Sequence, residues 1–257
     1  MNTRFGDVTV ASEGHVAVVS FSRPPSNFFD HALIVNLADA LEAVDAESEL
    51  RAVVLASEGK AFCAGANFGG SEETGVRREP IVLYREASRL FGTRKPIVGA
   101  IQGPAIGGGL GLALVPDFRV VAPEARFAAN FAKIGIHPGF GLTHTLPRVI
   151  GQQEAALLFY TGRRIDGEEA LRIGLADILV PVADVRARAV ALAAEIAENA
   201  PLAVEATRAT MRTGLAEAIG KQSERESAEQ MTLFQTADFR EGVKAVSERR
   251  RGIWVAA

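Results

Sequence analysis

Hydrophobic and polar positions alternate at the start of the chain and then merge. Val8 and Val10 lead to a Glu13-Gly14 turn, and the nearly unbroken apolar run 16–21 follows. This predicts a hairpin whose second strand is more buried than its first. Pro24 and Pro25 end that strand, because proline has no N–H for a central ladder. Asp30 suits a helix N-cap, and Leu33, Leu37, Leu41 and Val44 recur at helical spacing behind it. Apolar runs at 52–56, 97–101 and 118–122 read as strands, and residues 81–91 read as a helix. Between them, 69–80 combine glycine, charge and proline without an apolar period, which predicts an exposed, mobile loop. Alternating strands and helices of these lengths predict an α/β fold with largely parallel pairing.

Beyond 122 the pattern changes. Residues 127–141 hold three glycines and a proline and predict a folded-over loop, a common location for function. Helical periodicity returns at 152–161, residues 167–173 precede the Gly174 turn, and 175–180 predict a last short strand. From Asp184 onwards every segment reads as helix. Val185, Ala189, Leu192 and Ile196 form one stripe, and Pro201 suits the first turn of the next helix. Charged residues 221–229 and a closing segment 239–246 follow. The chain thus divides into an α/β core over 1–183 and a helical region over 184–257.

Composition narrows the class. With 257 residues, 48% hydrophobic and 23% charged, the chain suits one substantial core with an appended region. A net charge of −3, with no basic run interleaved with aromatics, argues against a nucleic-acid partner. Arg249, Arg250 and Arg251 read as a solvated helix end. One cysteine excludes an internal disulfide and fits a reducing compartment. No apolar stretch reaches bilayer length and the first residues lack a signal-peptide core, so the expectation is a cytoplasmic protein without a membrane partner.

Two stretches carry the candidate chemistry. In the later one the strand 97–101 turns through Gln102-Gly103-Pro104, and Gly107, Gly108 and Gly109 open a helix running to Leu114. The first N–H groups of a helix have no internal partner and lie at its positive end, so they suit an anion or a developing oxyanion. The same glycines also suit close helix–strand packing, and both readings stay open on this stretch alone. The earlier stretch, Lys60-Ala-Phe-Cys-Ala-Gly-Ala-Asn67, supplies a second small-residue turn after a strand.

With both stretches in this order, the chain resembles the crotonase superfamily, the enoyl-CoA hydratase/isomerase family. Its members carry a [GK]-x-F-C-A-G-A-D-like segment followed by K-P-x-x-A-x-x-G-x-A-x-G-G-G, matched here by 60–67 and by Lys95 to Gly109. The resemblance implies a crotonase-like spiral core of ββα units and a helical C-terminal region that packs subunits into a homotrimer or a hexamer of paired trimers. It implies an acyl-CoA substrate and no cofactor apart from the coenzyme A of that substrate. By motif position, the N–H groups of Ala66 and Gly108 form the oxyanion hole. Pro25, Asn27, Ala64, Ala66, Asn67 and Gly108 border the coenzyme A thioester arm. Fixed donors at a thioester enolate contribute about 3 kcal/mol each.

The acid–base positions depart from the family. Where hydratases carry glutamate two residues after the glycine triplet, this chain has Gly111. Where they carry glutamate four residues after the phenylalanine of the later segment, it has Phe131. Gly111, Asn130 and Phe131 are expected to line the substrate pocket, and the loss of both carboxylates makes it more apolar, permitting a bulkier or aromatic acyl chain. His137 is the candidate substitute acid–base residue, since imidazole transfers protons near neutral pH. Asn130 can orient a substrate or water but is no base. Lys133 reads as a surface charge, Cys63 as a small buried residue and Asp117 as a structural acceptor. No metal-ligand spacing, dinucleotide fingerprint, P-loop or nucleophile elbow occurs. Two readings remain: an enzyme of hydratase- or isomerase-like type with atypical proton transfer, and a catalytically silent acyl-CoA-binding protein.

Overall fold

The early alternation becomes a hairpin in the computed structural model, which describes residues 3–66 and 79–257. Strands β1 (Arg4–Phe5) and β2 (Val8–Glu13) pair antiparallel, and β2 pairs antiparallel with β3 (Val16–Phe21), Val8 opposite Phe21. Every residue of β3 is buried, because the strand lies inside the sheet and both its faces are covered. From β3 outward the pairing is parallel through β4 (Ala52–Ser57) and onward to Ile97–Ile101, Phe118–Val121 and Ile178–Leu179. Counting three short strands, Ala105–Ile106 (β6), Arg126–Ala128 (β8) and Arg164–Asp166 (β9), these are β5, β7 and β10. The main sheet runs β1-β2-β3-β4-β5-β7-β10, and β6-β8-β9 form a second, smaller sheet.

Helices cover both faces. Asp30 caps α1 (His31–Ala46), its Oδ1 accepting from Leu33 N at 2.9 Å, and Leu33, Leu37, Leu41 and Val44 are buried, as the spacing predicts. α2 (Pro80–Phe91) and α3 (Gly108–Ala113) flank β5 in sequence. α4 (Leu142–Ile150), α5 (Gln152–Thr161) and α6 (Gly167–Arg172) precede the four C-terminal helices: α7 (Val185–Ala197), α8 (Pro201–Met211), α9 (Leu215–Leu233) and α10 (Ala237–Ser247). α7 packs on the second sheet face, against Val18, Val54, Val98 and Val120. Its fully buried ladder is Val185, Ala189, Ala193 and Ala197, whereas Leu192 and Ile196 are only partly buried. Alanines every fourth residue let the helix axis approach the sheet, which larger residues at those positions would hold away.

Several elements differ from the pattern reading. α4 occupies a stretch in which Gly141 and Pro147 mask its period. The 127–141 stretch holds the end of β8 and a 3-10 turn over Asn130–Ile134. β10 keeps only two residues of the expected 175–180 strand. Asn67 and residues 69–78 of the expected loop lie outside the described residues. Among the described residues no helix is long and apolar enough to cross a membrane.

A buried ionic cluster ties α8 to the beginning of the parallel strands. Asp117 accepts from Ile97 N, Arg208 Nε and Arg212 Nη1, each at 2.8 Å. Arg208 donates also to Thr93 O. Removing the shared carboxylate leaves the buried Arg208 and the half-buried Arg212 guanidinium groups without their common anion, so Asp117→Ala should cost about 3–5 kcal/mol. Urea unfolding of both proteins measures this, and a loss below about 1 kcal/mol contradicts the role assigned to Asp117.

Candidate functional site

The site forms where the two small-residue turns meet. Cys63 N donates to Pro104 O at 2.9 Å and Ile106 N donates to Cys63 O at 3.0 Å, a parallel bridge between Cys63 and Ala105. This contact lays 60–66 beside 103–109. A Cβ on Gly109 would stand 2.0 Å from Cys63 O, so that glycine serves close packing. Gly107 of the triplet has a different use, which it shares with Gly65. Gly107 adopts φ 56° immediately before Gly108, and Gly65 adopts φ 89° immediately before Ala66. Positive φ at these two positions turns the following peptide, a conformation that glycine takes without Cβ strain. A Cβ on Gly65 would lie 3.5 Å from Gly108 N, which places the two turns against each other. The N–H groups of Ala66 and Gly108 donate to no backbone acceptor among the described residues, and Gly108 opens α3.

The segment 24–29 flanks this junction. Ala64 N donates to Ser26 O at 3.0 Å and Phe29 N donates to Gly65 O at 3.0 Å. Pro25 is exposed beside it. Asn27, expected among the ligand contacts, is buried with φ 52° and spends its amide inside the chain. Its Nδ2 donates to Glu58 O at 2.7 Å and Ala61 O at 2.8 Å, and its Oδ1 accepts from Arg23 N at 2.6 Å. It therefore positions the 58–61 turn instead of presenting a polar group outward.

On the other side, Gly107 N donates to Ala128 O at 2.8 Å, which brings the segment after β8 to the glycines. Asn130 Oδ1 and the Phe131 ring lie 3.3 and 3.8 Å from where a Gly107 Cβ would stand. Space at Gly111 is not open. A Cβ there would lie 2.7 Å from Phe140 Cδ1, because the Phe140 ring has taken that volume. Phe29 and Phe140 pack with centroids 5.5 Å apart. Cys63 is buried, which pushes its thiol up to about 12 and leaves it protonated and unreactive.

His137 lies on the same loop as Phe140, but its Nδ1 is 2.7 Å from Pro138 O. Its carbonyl accepts from Gln230 Nε2 at 2.8 Å, and Gln230 Oε1 accepts from Tyr84 OH at 2.8 Å. Burial, then the nearby Glu226, push the Tyr84 phenol well above its ordinary range. Glu226 is the carboxylate that pattern reading missed. Fully buried on α9, it accepts from Gly141 N at 2.7 Å, Thr143 N at 2.9 Å and Thr143 Oγ1 at 2.6 Å. It caps α4, whose own N-cap, Gly141, has no side chain to do so. The available signal was periodic but polar: Ile219, Ser223, Glu226, Ser227 and Gln230 form the buried face of α9.

The family model for enoyl-CoA hydratase/isomerase matches residues 11–256. A short-chain-enoyl-CoA hydratase of Clostridium acetobutylicum is 32% identical over 250 residues, 95% of this chain and 96% of that protein. The crystal structure of an enoyl-CoA hydratase/isomerase from Pseudoalteromonas atlantica T6c superposes with a TM-score of 0.87 at 29% identity, covering 97% of this chain and 100% of that one. A carnitinyl-CoA hydratase structure from Mycobacterium avium gives 0.85 at 31% identity, covering 99% and 100%.

Glu226→Gln offers an amide N–H₂ where one oxygen now accepts, leaving a buried donor facing a donor. The expected loss is about 1–3 kcal/mol, with faster hydrogen exchange at Gly141 and Thr143. Burial raises the Glu226 carboxyl above its ordinary 4.5. The folded chain therefore holds this proton more tightly than the unfolded chain, and this contribution to stability falls as pH rises from 4.5 through the raised value. That part of the pH slope should vanish in the variant; an unchanged slope in urea titrations contradicts it.

Proposed function

The chain belongs to the enoyl-CoA hydratase/isomerase family, and we propose that it holds an acyl-CoA thioester with the carbonyl oxygen between the N–H groups of Ala66 and Gly108. The observation that carries this reading is the pair of donors without a backbone acceptor among the described residues, each following a positive-φ glycine. Negative charge develops on that oxygen when a thioester becomes an enolate, and two preorganised donors stabilise it at about 3 kcal/mol each. Pro25 and Ala64 border the pantetheine arm, while Gly111, Asn130 and Phe131 border the acyl group. No cofactor beyond the substrate's coenzyme A enters the reading, and the protein acts in the cytoplasm.

The chemistry is enolate formation and quenching of hydratase or isomerase type, without the two carboxylates that activate water in orthodox hydratases. His137 is the candidate proton carrier: its Nδ1 contact with Pro138 O leaves Nε2 for a ligand or water. Asn130 orients the bound group. The apolar surroundings of Gly111, Phe131 and Phe140 favour the second reading, a catalytically silent acyl-CoA-binding protein. The helical region 184–257 carries subunit contacts in a homotrimer or hexamer, supported by Leu202 and Met211, 80% and 76% exposed on or at the end of α8.

Crotonyl-CoA hydration should run at least about a hundredfold slower than in a relative with both glutamates, since positioned acid–base groups contribute about 10²–10⁴ in rate. Butyryl-CoA binding, followed by calorimetry, should survive. Ala66→Pro deletes one donor and should lower any turnover by about a hundredfold or more. Brisk hydration would show that another residue replaces the missing pair, with His137 the first to substitute. Absence of both turnover and binding overturns the acyl-CoA reading.

Light scattering at micromolar concentration should give the mass of a trimer or hexamer. A monomer contradicts the role assigned to the C-terminal helices.

A further inference from the structure

Gly108 and Gly111 lie three residues apart on α3, hence on one face of that helix. Aromatic rings fill the space before both. A Cβ on Gly108 would stand 2.5 Å from Phe29 Cζ, and one on Gly111 would stand 2.7 Å from Phe140 Cδ1. The two rings pack on each other, and Phe140 is 1% exposed. Its backbone is also strained: Phe140 holds φ 67°, between Gly139 and Gly141. A bulky side chain in left-handed backbone persists only where its surroundings over-determine it, and such positions cluster at ligand sites. The ring is thus held in the volume that a side chain at 111 would otherwise use, one helical turn from a proposed carbonyl-binding N–H.

We propose that Phe140 is the specificity-determining residue of this site, a plug beside Gly111 that restricts the acyl group to short, compact chains. The inference rests on the acyl-CoA reading above. It also explains why a carboxylate cannot simply be returned to position 111: a glutamate there has no room until Phe140 is cut back.

The test is calorimetric binding of acetyl-, butyryl-, hexanoyl- and octanoyl-CoA to the unmodified protein and to Phe140→Ala. In the unmodified protein affinity should stop rising at short chain length. In Phe140→Ala it should continue to rise by about fourfold per added methylene across the vacated volume. Phe140→Gly, which also relieves the positive φ, is the second variant should alanine fail to fold. The same chain-length profile in the unmodified protein and the folded variant overturns the inference while leaving the acyl-CoA reading intact. Binding of none of the four to the unmodified protein overturns both. A stability cycle tests the contact without any ligand: Gly111→Ala should destabilise the unmodified chain but much less the Phe140→Ala background. Additive losses would show that the two positions do not compete for one volume.

Discussion

The site depends on the close approach of two backbone segments, 60–66 and 103–109, joined by the hydrogen bonds between Cys63, Pro104 and Ile106. Each segment continues a parallel strand, β4 or β5, so the sheet delivers both to the same edge. The last step from neighbouring strands to neighbouring turns needs small residues. Cys63 O sits where a Gly109 side chain would begin, and the Gly65 and Gly107 dihedrals turn the next peptides. A single ordinary side chain at Gly109 would push the segments apart and separate Ala66 from Gly108. Under the proposed function, binding is therefore a property of backbone geometry, with side chains acting mainly to hold it.

Those supports are polar and distant in sequence. Asn27 ties the turn after β3 to the turn after β4 through two hydrogen bonds, to Glu58 O and Ala61 O, and braces its own turn by accepting from Arg23 N. Glu226, from the long C-terminal helix α9, caps α4 and thereby fixes the loop carrying Phe140. Asp117 links α8 to the beginnings of β5 and β7. The C-terminal helices consequently shape the core of their own chain: α7 closes the sheet's second face, and α9 sets the aromatic wall of the site.

That wall bears on the proposed departure from the family's acidic pattern. Removing a glutamate could leave a hole for water or for a larger ligand. Here the glycine at 111 and the phenylalanine at 140 form a matched pair, small against large, which keeps the density of a packed interior. Under the proposed function, oxyanion stabilisation and proton transfer are thereby separated. The backbone donors need no ionisable side chain, and the region beside them is lined by Phe29, Phe131 and Phe140.

Much of the fold was legible from local pattern. The hairpin, α1 with its Asp30 cap, the buried strands and the helical second half follow from periods of two and of about 3.6 residues, which depend only on neighbours in sequence. The two glycine-bearing turns were legible for the same reason: a glycine cluster after an apolar run marks special backbone wherever it occurs. What the sequence alone did not determine is contact between distant segments. Whether Gly109 serves packing and Gly107 dihedral freedom depends on where Cys63 lies, a residue more than forty positions earlier. Phe140 filling the space at Gly111, and the polar inward face of α9, follow from tertiary packing, in which volume and hydrogen-bond demand are matched between elements that carry no local record of each other.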